Sequence, residues 1–330
     1  MDVQLELKQK IETMLDKSSS LKYCNISEDD SLVTVLIETT GSVDEKTLKR
    51  NVIKIIKIDY GFNGAKVSIE RKKEKLISSK TKYITVTSGK GGVGKSTVSA
   101  NLASSLAKFG YRIGIIDADV YGASVPKVFG MNNPRLLVQE DNKIIPPLSE
   151  EGVFVMSTEF LVEDDKPLMW RGPMLGRMLN HLFDDVAWPT DLDFMIIDLP
   201  PGTGDIPLTL KDMIPEALAI VVTTPNRMAS EIAIKSGEMA KALGHELLGV
   251  VENMSYFINP VNGNHEPIFG VGGGLEVANK LETEVLAEIS IAQVKDGKTS
   301  GIFTSHEENG LIYLGLANKV LKKFNENKSN

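Results

Sequence analysis

One cysteine, Cys24, stands among 330 residues, so an internal disulfide is excluded and a reducing, cytoplasmic setting is expected. No apolar run approaches the ~18 residues of a membrane span. The first residues, Met-Asp-Val-Gln-Leu-Glu-Leu-Lys, make neither a basic leader nor an apolar segment, so no secretory signal is read there. Excess positive charge is missing as well. A net charge of −7 argues against binding nucleic acid or anionic membrane in bulk, although local basic patches remain. Internal repeats and low-complexity tracts are also absent. What remains is the composition of an ordinary soluble globular protein, long enough for one large domain and a small one.

The strongest signal is the stretch at residues 83–97, Tyr-Ile-Thr-Val-Thr-Ser-Gly-Lys-Gly-Gly-Val-Gly-Lys-Ser-Thr. The β-branched run Tyr83–Thr87 predicts a buried strand, and Ser96–Leu102 has helical spacing. Strand, Gly-x-x-x-x-Gly-Lys-Ser, then helix is the order a phosphate cradle requires. Gly89, Gly91, Gly92 and Gly94 let the backbone curl around Val93 so that successive N–H groups face an anion. The helix start at Ser96 and Thr97 adds partial positive charge. Lys95 is expected on the β- and γ-phosphates of ATP, and the Ser96 hydroxyl on Mg²⁺. Gly89-x-Gly91-x-x-Gly94 also satisfies a dinucleotide fingerprint, with Asp117 about where a ribose-binding carboxylate falls. Lys95 and Ser96 argue against that rival, because a pyrophosphate turn needs neither.

Hydrolysis or switching needs carboxylates near the magnesium, and strand ends supply them. Asp198 follows Met195-Ile196-Ile197 at the carboxyl end of a predicted buried strand, where it can hold Mg²⁺ through water. Leu199-Pro-Pro-Gly-Thr-Gly-Asp205 follows, and the N–H groups around Gly202 can close on a γ-phosphate and relax when it leaves. Asp117 and Asp119 end the second strand of this part of the chain, in Ile115-Ile116-Asp117-Ala118-Asp119. Asp119 is assigned to orienting the attacking water and Asp117 to the outer magnesium shell.

Around these motifs the chain divides into three parts. Residues 1–70 read as a small α/β domain with a first helix through Leu7 and Ile11, a strand over Ser31–Thr40, a helix over Val43–Ile58 and a strand over Ala65–Glu70. Their order and size resemble the small MIP18-like domain, without its Asp-Pro-Glu segment and its cysteine; Cys24 is expected to be a half-buried packing residue. Residues 71–81 form a basic linker. From there to residue 330, strands alternate with helical patterns, which predicts an α/β fold: a mostly parallel sheet with helices on both faces. Strands are expected to end at Asp117, Asp198 and Thr223 and to cover Val153–Met156, Leu247–Val251 and Glu284–Ile289. Helices are expected over Pro173–Phe183, Ala229–Leu243 and Leu311–Phe324.

Lys-Gly-Gly-x-Gly-Lys-Ser, beginning at Lys90, resembles the deviant Walker A loop of the MinD/ParA class. Within that class, four stretches resemble the Mrp/ApbC branch of iron–sulfur cluster carrier ATPases: Asp117-Ala-Asp-Val-Tyr-Gly-Ala-Ser-Val-Pro126, Met169-Trp-Arg-Gly-Pro-Met174, Asp198–Asp205 and Val251-Glu-Asn-Met-Ser-Tyr-Phe257. The resemblance covers roughly residues 82–325. It implies an ATP-dependent homodimer facing nucleotide to nucleotide, with Lys90 reaching the partner's nucleotide. It also implies Asn253 on the adenine edge, and iron–sulfur client apoproteins as partners. Arg171 is the exposed residue to test for a dimer or partner contact, with a surface salt bridge as the equal alternative.

One departure stands out. The family's Cys-x-x-Cys, which bridges an iron–sulfur cluster between two subunits, is replaced here by Asn259 and Asn262. Amides do not replace thiolates at such clusters. Two readings follow: a carrier-family role played with a partner's thiols, or an ATP-switched regulatory protein that binds DNA or another partner, like the cysteine-lacking SalA-type members. A third, MinD-like membrane cycling, rests on the apolar and lysine residues of the closing helix.

Overall fold

The computed structural model describes residues 3–15, 19–27, 32–39, 44–71, 80–120, 122–132, 134–161, 172–202, 210, 213–214, 216–295 and 300–326. Two compact units divide the chain, Met1–Leu76 and Ile77–Asn330.

In the first unit, apolar residues four apart put Leu7 and Ile11 on the buried side of α1 (Val3–Met14). Strict alternation buries Val33, Val35 and Ile37 on one face of β2 (Leu32–Thr39). This strand pairs antiparallel with β1 (Ser19–Ile26) and parallel with β3 (Gly64–Arg71). Asp44 starts α2 (Glu45–Lys54) by accepting from the N–H groups of Lys46 and Thr47, and a π-helical turn, Ile55–Asp59, continues it. Cys24 lies in this core with 2% of its surface exposed, and burial pushes its thiol upward. It is therefore more buried than its expected half-buried place. The expected linker falls mostly on residues 72–79, outside the described residues.

In the second unit, the described strands form a sheet in the order β12–β11–β10–β4–β9–β5–β8. Their ranges are β4 Lys82–Ser88, β5 Ile113–Asp117, β8 Val153–Ser157, β9 Phe194–Asp198, β10 Leu218–Thr223, β11 Glu246–Ile258 and β12 His265–Glu266. β13 (Val285–Ile291) pairs with β11, and every pairing is parallel except β11–β12. A two-stranded hairpin, β6 (Leu137–Val138) and β7 (Ile144–Ile145), stands apart.

The period of two along each strand decides which helix it meets. Phe194 and Ile196 face one core with α3 (Lys95–Lys108) and α8 (Glu308–Glu326). Met195 and Ile197 face the opposite core with α5 (Gly172–Asp184). Near β10 and β11 the same is done by α6 (Arg227–Ala242) and α7 (Gly273–Lys280). A one-turn α4 (Val125–Val128) follows β5. The expected mostly parallel sheet with two covered faces is thus the fold observed.

The apolar stripe of the closing helix is accounted for by packing. Tyr313, Leu316, Ala317, Val320 and Phe324 of α8 are buried on the sheet, while Lys319 donates to the Leu286 carbonyl at 2.7 Å and Lys323 pairs with Glu284. Among the described residues no helix is long and apolar enough to cross a membrane. Tyr313 carries a flaw: its ring stacks on Phe303, but its buried hydroxyl has no hydrogen-bond partner among the described residues. Tyr313→Phe removes that unsatisfied group and should stabilise the protein by about 1 kcal/mol. A scanning calorimeter should then record a melting temperature about 2 °C higher.

Candidate nucleotide site

The loop from Ser88 to Lys95 joins β4 to α3 at the carboxyl edge of the sheet. Gly92 and Gly94 both hold φ of +81°, a left-handed backbone that favours glycine. Gly89 has a different reason to lack a side chain, since a Cβ there would run into the backbone of Ile232 and Ala233 in α6. The curled loop encloses a cavity of about 170 Å³. Lys90, Gly91, Gly92, Gly94 and Lys95 line one side of it, with Ser96 and Thr97 at the helix start. Asp119, Gly122, Ser124 and Pro201 close the other side. A larger cavity of about 770 Å³ lies at the opposite edge, among the strand starts Lys82, Ala217 and Leu218. Open α/β sheets bind ligands at the carboxyl ends of their strands, so the smaller cavity is the candidate site.

Its charged centre is Asp198, fully buried at the end of β9. Lys95 Nζ and Ser96 Oγ both donate to its Oδ2 at 2.6 Å, and Ser99 Oγ donates to its Oδ1 at 2.6 Å. Lysine, hydroxyl and carboxylate thus converge, and the serine one turn further on joins them. Nothing in the spacing points to Ser99, because its partner lies 99 residues away.

The other aspartates divide their work differently. Asp119 lines the cavity, is buried, and accepts from the Gly122 N–H through Oδ1. Asp117 is not among the lining residues. Its Oδ2 accepts from the N–H groups of Ser124 and Val125 at 2.9 and 3.0 Å, and its Oδ1 from that of Asp119. It therefore holds the turn that carries Asp119. Burial, reinforced by the charge of Asp198 in register on the adjacent strand, pushes its carboxyl up to about 7.

Two further expected residues brace the loop. Asn253, midway along β11, donates from Nδ2 to the Val93 carbonyl at 2.9 Å and packs against Gly94. That is a backbone-bonded use of the amide, and it occupies one of its two N–H donors. Gly202, at φ +94°, donates its N–H to the Ser88 carbonyl. Lys90 is exposed at the cavity rim. Arg171 and residues 203–205 of the expected switch loop lie outside the described residues. Sequence reasoning passes over Glu252, whose buried carboxylate accepts from the Gly274 N–H at the start of α7. The Gly272-Gly-Gly run that opens that helix is the available sign.

Asn259 and Asn262 sit in the hairpin between β11 and β12. Asn259 Oδ1 accepts from Val261 N and Asn262 Oδ1 from Asn264 N, both at 2.9 Å, so each side chain closes an Asx turn. Asn259 also donates from Nδ2 to Glu266 at 2.7 Å. Beside them His265 stacks on Tyr256 with ring centroids 4.1 Å apart.

A glycine cradle on the edge of a parallel sheet, with lysine, serine and a strand-end aspartate converging under it, defines a P-loop nucleotide-binding protein. Residues 79–321 match the ParA family model described as NUBPL iron-transfer P-loop NTPase. An iron-sulfur cluster carrier protein of Bacillus subtilis is 37% identical over 308 residues, covering 87% of this chain and 86% of that one. Among solved structures, a nucleotide-binding protein from Archaeoglobus fulgidus in complex with ADP is 36% identical, with a TM-score of 0.56 over 71% of this chain and 86% of its own. The septum site-determining protein MinD from Pyrococcus horikoshii, complexed with Mg-ADP, shares the fold at 22% identity, with a TM-score of 0.53 over 73% of this chain and 96% of its own. The chain belongs to the iron–sulfur cluster carrier family of P-loop NTPases, MinD-like in fold.

Proposed function

We propose that this protein binds ATP with Mg²⁺ at the cradle and hydrolyses it as a homodimer that closes nucleotide to nucleotide. The observation that carries this reading is the convergence of Lys95 and Ser96 on Asp198 beneath the glycine-rich loop. These residues fit the group they would hold. A hydroxyl and a carboxylate are the hard oxygen donors that magnesium prefers, and the cavity suits phosphates rather than a whole nucleotide. Ser96 and Asp198 would hold the cation, which when bound neutralises phosphate charge. Lys95 meets the β- and γ-phosphates, the loop N–H groups donate to their oxygens, and Asp119 faces the water that attacks.

Lys90 is the residue assigned to act across the dimer. Its exposure at the rim leaves its ammonium able to reach a second subunit's nucleotide. In phosphate-release assays Lys90→Ala should lose about 10³-fold in kcat, the scale of a cation supplied in trans, while binding ADP as the parent does. Light scattering with ATP provides the second arm. A parent protein that stays monomeric and still turns over ATP would remove the dimer from the mechanism.

The domain plan that goes with this reading is a small MIP18-like unit over 1–70, a basic linker over 71–81 and the ATPase over 82–330, working in the cytoplasm. Client apoproteins of the iron–sulfur kind are the partners the family suggests. Direct carriage of a cluster on the chain's own thiols is not part of the proposal, because its single cysteine is buried in the small unit. A cluster would be handled as cargo on a partner's thiols. The second reading, an ATP-dependent regulatory protein, is favoured by the same Asn259 and Asn262 hairpin.

A further inference from the structure

We propose that Ser99 is a positioning residue for Asp198, keeping that carboxylate aimed at the magnesium position once nucleotide draws Lys95 and Ser96 away. This rests on the nucleotide reading above. Asp198 has three side-chain donors: Lys95, Ser96 and Ser99, each at 2.6 Å. Lys95 and Ser96 both line the cavity and both have work there, one at the phosphates and one at the cation. Ser99 has none. It is fully buried and is not among the cavity's lining residues.

The hydroxyl also has a choice. Its oxygen lies 3.1 Å from the Lys95 carbonyl one turn back, the usual partner of a serine inside a helix. A hydroxyl carries one proton, and the shorter contact gives that proton to Asp198 Oδ1. Ser99 therefore pins the oxygen that faces away from the loop and leaves Oδ2 turned toward Lys95 and Ser96. The neighbour on the other side is repulsive: Asp117 is in register with Asp198 on the next strand, also fully buried. A carboxylate without the Ser99 bond would have one fixed donor fewer and a second buried carboxyl in register beside it. Its freedom to rotate would weaken the cation site and leave the phosphate cradle itself intact.

The test is the affinity of a fluorescent ADP analogue, measured with saturating Mg²⁺ and again in EDTA. In Ser99→Ala the EDTA affinity should match the parent, which also shows that the cradle is folded. The gain in affinity on adding Mg²⁺ should fall by about tenfold, the weight of one hydrogen bond to a charged group. In an Asp198→Asn background, the same Ser99→Ala change should have no further effect, since the group it positions is gone. A full Mg²⁺ gain in Ser99→Ala, or equal losses in both backgrounds, overturns the role of Ser99 alone. A parent protein that gains nothing from Mg²⁺ overturns the magnesium reading and this inference together.

Discussion

Lys95→Ala should abolish detectable nucleotide binding and also make the protein measurably less stable. The first effect follows from removing the cation proposed to meet the β- and γ-phosphates. The second follows from what it leaves behind. Asp198 is fully buried, and its ion pair with Lys95 is 2.6 Å long. Breaking a buried pair on one side strands the remaining charge, at a cost of about 3 kcal/mol or more. Ser96 and Ser99 still donate to Asp198, so the loss should sit at the low end of that range. Urea unfolding followed by circular dichroism measures it. Lys95→Ala with Asp198→Asn separates the two effects. The neutral amide needs no counter-charge, so the double variant should regain most of the lost stability and still bind no nucleotide. If Lys95→Ala alone matches the parent in urea, then Asp198 does not depend on the lysine, and the network around it is weaker than its distances imply.

The part of this network written in contiguous residues is legible in the amino-acid sequence. A β-branched run, a glycine turn with Lys95-Ser96, and a helix put the cradle on a strand end, and strands ending at Asp117 and Asp198 put the carboxylates on the same edge. Long alternating or continuous apolar segments also reveal the sheet. The elements that the sequence conceals lack such a pattern. β1 alternates poorly and carries an irregularity between Leu21 and Tyr23, so its partly polar sequence looks like loop. The apolar run of β11 predicts an end at Val251, yet the strand continues to Ile258 because β12 and β13 pair with its polar end. The α7 helix hides behind Gly272-Gly-Gly, where a glycine run reads as a turn; in the fold Gly273 and Gly274 lack room for a Cβ against Pro225 and Glu252. The partners of Ser99 and Asn253 are obscure for one reason: each lies more than ninety residues away, and only the folded sheet brings them together.

The asparagines of the β11–β12 hairpin lead to a prediction in the opposite direction, a function gained. Asn259→Cys with Asn262→Cys should let the protein bind an iron–sulfur cluster when reconstituted anaerobically with iron and sulfide, whereas the parent should hold none. The argument is one of donors. A bridged four-iron cluster needs four thiolates, and a dimer of the parent has two, both Cys24 and both buried in the small unit. The double variant would present two thiols per chain, one half-buried at 259 and one exposed at 262, on a hairpin whose register is fixed by β11–β12 pairing, not by the asparagines alone. Losing the Asx turns and the Asn259–Glu266 bond from this solvent-facing hairpin should cost about 1 kcal/mol each at most. Metal and sulfide analysis, the visible charge-transfer band and light scattering together read the outcome. Cluster binding with dimer formation would place the two hairpins face to face across the nucleotide interface. Iron bound to a monomeric variant would put that interface elsewhere on the surface. A parent protein that takes up as much iron and sulfide as the variant would show that its donors lie outside this hairpin, and the case against direct carriage would fall.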